Sequence, residues 1–261
     1  MLNIRKILLP VDFPVASFGL AHQAATLARH FNSEIVLLHV MTPRSHAAGV
    51  PEGAREQADF DLLAAIIRQA QNQQDTSLGP ELEGLTVRRK LVNGDVAETI
   101  VQTAEEEKAD LIMMPSYSFT FYQFLLGSVT AKVLHGSECP VWTGAHVQES
   151  PGQGFAIHNV LGAVEFGPRA DITVSWAAQM AAEFGAHLTL ANVTASVEFW
   201  GPGGNYVNEK WKEELVGNAS EQMAKLQQDT GIKTDVFIGS GDVPNPTSTL
   251  GKTMGCVFND L

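Results

Sequence analysis

Cysteine is nearly absent from this chain. Cys139 and Cys256 are the only two in 261 residues. Two cysteines so far apart make no disulfide framework and match no metal-ligand spacing, which points to a reducing compartment. Positive charge is also scarce. Lys and Arg total 17 against 29 Asp and Glu, a formal net charge of −12. Phosphate neutralisation needs clustered cations, so nucleic acid is not an expected partner. Long apolar runs are missing as well. None reaches the roughly 18 residues of a membrane helix. The opening Met-Leu-Asn-Ile-Arg-Lys lacks the apolar region of a secretory signal. The expectation is a cytoplasmic protein with no membrane partner. The eight histidines show no H-x-x-x-H or cysteine-partnered spacing, so no metal ligand is assigned. Ser17 and Ser128 have no evident base, so no catalytic residue is assigned and an enzyme is not expected.

What the chain does have is a repeat. Lys6–Phe13 (KILLPVDF) matches Asn159–Phe166 (NVLGAVEF), 153 positions later. Phe31–Val40 (FNSEIVLLHV) matches Phe184–Val193 (FGAHLTLANV) at the same offset. Asn93-Gly94-Asp95-Val96 returns as Ser240-Gly241-Asp242-Val243, now 147 positions later. Hydrophobic residues make up 44% of the chain, enough for two cores of ordinary domain size.

Short branched runs alternate with stretches of helical periodicity. Strands are expected at Ile7–Phe13, Glu34–Met41, Leu85–Val92, Asp110–Met114 and Pro140–Ala145. Helices are expected at Val15–Phe31, Glu56–Gln74, Val96–Lys108 and from Ser128 to Gly136. Asp75–Gly84 reads as a turn region, and Asp95 as the N-cap of the third helix. The order β-α-β-α-β-α-β-α-β calls for a parallel sheet with helices on both faces. Val147–His158, with Pro151 and two glycines, reads as a linker. The second copy then gives strands at Val160–Phe166, His187–Val193 and Lys233–Gly239, and helices at Pro168–Phe184 and Asn208–Asp229. Gly201–Gly204 reads as a loop. Only 20 residues follow Gly241, where 52 separate Gly94 from His146, so the fourth and fifth strands of the second copy are missing or replaced. Divergence and a truncated reading frame would both leave such a tail.

Ile7-Leu8-Leu9-Pro10-Val11-Asp12, Leu38-His39-Val40, Asn93-Gly94-Asp95-Val96, Ala109–Met113, Gly127-Ser128-Val129-Thr130 and Cys139-Pro140-Val141 occur in an order that resembles the UspA-like universal stress proteins, here in tandem. The resemblance covers about residues 5–145, and 159–243 more weakly. It implies two α/β domains of the Rossmann-like, adenine nucleotide alpha hydrolase-like kind, the second incomplete: 1–146, a linker at 147–158, and 159–261. It further implies a non-enzymatic stress-response role through ligand or protein binding. The alternative is adenine-nucleotide binding with slow ATPase or nucleotide-sensing activity in the first domain.

The family's phosphate motif is G-x2-G-x9-G-[ST]. Anchored on Gly127-Ser128, it places Met114 and Tyr117 where the first two glycines would stand. The residues matching the family's binding positions are Pro10, Asp12, Val40, Met113, Gly127, Ser128 and Val129. ATP is the cofactor that the resemblance admits. Glycines allow close approach to phosphate, and a helix N-terminus offers free amides. Two bulky replacements oppose a triphosphate, while Gly127-Ser128 still offers room for one anion. Tyr117, Phe119, Phe121, Tyr122 and Phe124 either pack on the sheet end or a partner subunit, or plug or remake the pocket for an apolar or aromatic ligand. The expected partners are thus an adenine nucleotide or an apolar small ligand, and a second copy of the chain, because Pro140–Ala145 has no obvious counterpart in the second domain and leaves a sheet edge to pair as a homodimer; the alternative is that Thr253–Phe258 supplies a substitute strand within the chain.

Overall fold

The computed structural model describes residues 2–11, 18–41, 79–115, 127–144, 156–194, 198–201, 204–207, 209–240 and 257–258. Several sequence expectations lie outside these residues: Asp12, the Glu56–Gln74 helix, the aromatic loop with Tyr117, and Gly241-Asp242-Val243. The chain divides into two compact units, over Asn3–Phe155 and Ala156–Leu261. Each is an α/β unit built on a parallel sheet.

The first unit contains β1 (Lys6–Pro10), α1 (Phe18–Phe31), β2 (Glu34–Met41), α2 (Gly79–Leu82), β3 (Val87–Asn93), α3 (Val96–Glu107), β4 (Leu111–Pro115), α4 (Ser128–Gly136) and β5 (Val141–Gly144). Its five strands are all parallel, in the order β3-β2-β1-β4-β5. β1 ends at Pro10, three residues earlier than the apolar run suggests. The expected turn before β3 contains one helical turn, α2.

β1 and β2 sit at the centre, covered on both faces, so their apolar runs are nearly continuous. Ile7, Leu8, Leu9, Ile35, Val36, Leu37 and Leu38 are all buried. On one face, Leu8, Val36, Leu38, Ile112 and Met114 pack against Ala97, Ile100 and Ala104 of α3 and Val133 of α4. Side chains at successive strand positions alternate, so Ile7, Leu9, Leu37 and Met113 lie on the other face.

Local chemistry sets the element boundaries. Asp95 caps α3, its Oδ1 accepting from the Ala97 and Glu98 amides at 3.2 Å each. A Cβ on Gly94 would lie 2.5 Å from Thr99 Oγ1, so any larger residue there would force the Thr99 hydroxyl to move. At the β3 edge, Arg88 and Lys90 face acidic residues. Arg88 pairs with Glu34 at 2.9 Å and with both carboxylate oxygens of Glu107, and Lys90 reaches Glu106 at 2.8 Å. These cations, Arg88 above all, pull the Glu107 carboxyl down to about 2, so it stays ionised at neutral pH. A charged edge of this kind also discourages strand addition.

The second unit contains β6 (Asn159–Ala163), α5 (Ala170–Phe184), β7 (His187–Thr194), β8 (Glu198–Gly201), β9 (Gly204–Val207), α6 (Glu209–Thr230), β10 (Asp235–Ser240) and β11 (Val257–Phe258). Its main sheet runs β10-β7-β6-β11, all parallel. β11 lies beside β6, the place β4 holds in the first sheet, and no strand follows it among the described residues. The sheet is therefore incomplete relative to the first. Gly201–Gly204, read as a loop, instead closes an antiparallel hairpin, β8 with β9, in which Gly201 faces Gly204.

The repeat extends to strand register. Lys6 pairs with Glu34 and Asn159 with His187, a shift of 153 in both strands. Val36 pairs with Arg88 and Thr189 with Asp235, which adds the shift of 147 in the third strand. The cores of both units follow from one pattern written twice.

Candidate ligand site at the strand ends

In an open parallel sheet, ligands bind outside the carboxyl ends of the strands, where the connections diverge to opposite faces. In the first unit that point lies between β1 and β4. Around it stand Pro10 at the end of β1, Val40 near the end of β2, Met113, Met114 and Pro115 at the end of β4, and Gly127-Ser128-Val129 opening α4. Pro10, Val40, Gly127 and Val129 are half-buried and Ser128 is exposed. These expected site residues thus come together at one end of the sheet. Asp12 follows β1 outside the described residues.

The two methionines differ in role. Met113 is fully buried, on the α1 face. Met114 is 4% exposed and belongs to the apolar cluster beneath α4, with Val129 and Val133. Its side chain therefore fills space under the first turn of α4. A glycine at this position would leave that space open.

The start of α4 is built without a side-chain cap. Gly127 is the N-cap, extended at φ −59° and ψ 148°, and it makes no side-chain cap to the first amides among the described residues. The turn is held instead by Thr130, whose Oγ1 donates to the Pro115 carbonyl at 3.1 Å. Thr130 ties α4 to the end of β4. Sequence reasoning treated it only as part of a motif. Its hydroxyl, buried three residues after the N-cap, is the feature that marks it.

The exit of β1 shows a second contact that the sequence did not reveal. The Val11 amide donates to the Leu38 carbonyl at 2.8 Å. The Leu38 main chain therefore faces β1. Two residues further on, the N–H and C=O of Val40 point the same way, past the last paired residue of β1. The Val11 carbonyl meets His39 Nδ1 at 3.0 Å. A carbonyl only accepts, so Nδ1 carries the hydrogen.

Cys139 lies apart from these groups. Its thiol donates to the Ala109 carbonyl at 3.1 Å, and burial pushes it up to about 12, which leaves it inert as a nucleophile. Among the described residues, no group of three His, Cys, Asp or Glu could hold a metal ion. No helix among them is long and apolar enough to cross a membrane.

Comparison with known proteins agrees with this architecture. The model of the universal stress protein family matches residues 3–143. A universal stress protein of Methanocaldococcus jannaschii is 34% identical over 154 residues, covering 52% of this chain and 92% of the relative. A second from the same organism is 28% identical over 140 residues, covering 52% of this chain and 79% of the relative. Among solved structures, a universal stress protein from Archaeoglobus fulgidus aligns over 92% of this chain and 78% of its own, with a TM-score of 0.57 at 20% identity. At that identity the likeness shows the fold alone. With five parallel strands in the expected order and a family match over more than half its length, the chain belongs to the universal stress protein family.

Proposed function

We propose that this protein acts in the stress response by binding, not by catalysis, and that its first unit takes a small ligand at the strand ends. The ligand class favoured is an adenine nucleotide carrying little phosphate, or an apolar molecule of similar shape. The observation that carries this reading is Met114. It stands where the phosphate motif has its first glycine, and its side chain is packed into the core beneath α4. The uncapped start of α4 still supports one anion through the Ser128 and Val129 amides. The second unit, 159–261, is read as an incomplete copy of the family domain.

Calorimetric titration with ATP and magnesium tests the ligand class. Binding in the millimolar range or weaker is expected. Micromolar binding that Gly127→Trp abolishes would instead establish the alternative, a nucleotide-sensing protein with slow ATPase activity.

We further propose that two chains pair through β5. Ile112 donates to the Pro140 carbonyl at 2.9 Å, so the main chains of Pro140, Trp142 and Gly144 face β4. Those of Val141 and Thr143 then face outward, where a second β5 can add. Thr143→Pro removes an outward N–H and leaves the ladder to β4 intact. Light scattering at tens of micromolar is expected to give a dimer for the natural chain and a monomer for the variant. A natural chain that is monomeric there would refute the pairing.

A further inference from the structure

In the first unit three charges tie the outer strands to the helix above them. Arg88 of β3 pairs with Glu34 of β2 at 2.9 Å and with both carboxylate oxygens of Glu107 in α3. The second unit has the strand pair with its signs exchanged. His187 stands 153 positions after Glu34, and Asp235 stands 147 after Arg88. Their side chains meet, His187 Nε2 to Asp235 Oδ2, at 3.1 Å. Among the described residues, no second group meets Asp235 as Glu107 meets Arg88, and the Asp235 side chain is 76% exposed.

The sequence supplies the third charge. Leu8 pairs with Ile112 and Leu161 with Val257, so Val257 is the counterpart of Ile112. Glu107 stands five residues before Ile112, and Lys252 five residues before Val257. Lys252 thus holds the position of Glu107, again with the opposite sign. Topology brings it to the face of Asp235. β10 and β11 are parallel and lie at opposite edges of the sheet. Residues 241–256, which lie outside the described residues, connect them across β7 and β6. α5 packs on β6 and β7, and α6 on β7 and β10. The step from β10 to β11 runs back against the steps from β6 to β7 to β10, so a right-handed crossover passes over the other face. Leu190 lies on the α5 side, beside Gly162 and Ala177. Thr189 and Ala191, with their partners Asp235 and Phe237, therefore lie on the other face. Phe237 is 40% exposed there, where α3 covers the first sheet.

We propose that residues 241–256 dock on this face and that Lys252 closes the charge set on Asp235. Glu34, Arg88 and Glu107 become His187, Asp235 and Lys252, inverted as a set. The inversion keeps attraction within each unit and sets like charges together in any exchange between them. Glu107 would meet Asp235, or Lys252 would meet Arg88. Each copy thereby rejects the other's covering segment, a selectivity that a duplicated domain needs.

The test uses the full chain and a zero-length carbodiimide, which joins a lysine amine to a carboxylate in contact with it. Lys90 and Glu106, 2.8 Å apart, are the internal control. Mass spectrometry of the monomer fraction should find Lys252 joined to Asp235. Lys252→Glu should lower the urea midpoint of the second unit. The triple exchange His187→Glu, Asp235→Arg, Lys252→Glu installs the first unit's set and should return the midpoint to that of the natural chain. Lys252 joined to a carboxylate of a second chain overturns the proposal. So does Lys252 unjoined to Asp235 while the Lys90–Glu106 link forms, and so does a triple variant no more stable than Lys252→Glu. Should the variants not fold, the cross-link in the natural chain decides it.

Discussion

Met114→Gly should destabilise the first unit by about 3–5 kcal/mol. Met114 is 4% exposed and packed with Leu8, Val36, Leu38, Ile112 and Val133. Truncating a buried methionine to alanine costs about 2–5 kcal/mol, and glycine inside a regular element adds roughly 0.5–1. The effect should appear as a lower urea midpoint with an unchanged slope. The same change opens the space under the first turn of α4. ATP in excess should then recover part of the loss, because a ligand bound only by the folded state stabilises it by RT ln(1 + [L]/Kd). The natural chain should show little or no such recovery. A loss below about 1 kcal/mol would mean that the side chain is not part of the core. A full loss with no recovery would mean that Met114 is not what excludes the triphosphate.

This substitution shows which parts of the site were legible in the sequence and which were not. The motif spacing places Met114 and Tyr117 where the resemblance calls for glycines. It could not say where the Met114 side chain goes, because direction depends on strand register. Its packing in one cluster with Ala97, Ile100 and Val133 fixes the face. Glu34–Met41 was legible to the residue, since a buried parallel strand is a continuous apolar run. The end of β1 was not. Val11 and Phe13 continue the apolar pattern, but pairing stops at Pro10, which pairs with Leu38. The contact of His39 with the Val11 carbonyl was invisible for a related reason. A lone histidine in an apolar strand has no periodicity to betray it, and its contact is with a backbone carbonyl. Asn192, 153 positions later, makes the same kind of contact with the Val164 carbonyl in the second unit. The β8–β9 hairpin was missed because Gly-Pro-Gly-Gly reads equally as a loop. What decides it is the pairing of Phe199 with Tyr206, seen only in the fold.

Leu9→Gly should cost the first unit about 4 kcal/mol, by placing there the residue that the repeat carries at Gly162. Leu9 is 2% exposed, on the face of β1 that α1 covers. Losing a buried leucine to alanine costs about 2–5 kcal/mol, and the step to glycine somewhat more. The two sites have identical neighbours in sequence: Ala24 and Leu37 in the first unit correspond to Ala177 and Leu190 in the second. They are filled differently. A Cβ on Gly162 would lie 2.9 Å from Leu190 Cδ2 and 3.4 Å from Ala177 Cβ, so the Leu190 side chain occupies the room that Leu9 takes in its own unit. The reverse exchange, Gly162→Leu, therefore overpacks the second unit and should cost about 1–3 kcal/mol. The cost is lower if Leu190 swings aside, since the close atom is the end of a flexible side chain. The pair of exchanges also reports on coupling between the units. If each core folds by itself, Leu9→Gly moves one denaturation transition and Gly162→Leu another. A single transition that both variants shift would show instead that the two copies, though each has its own core, unfold as one.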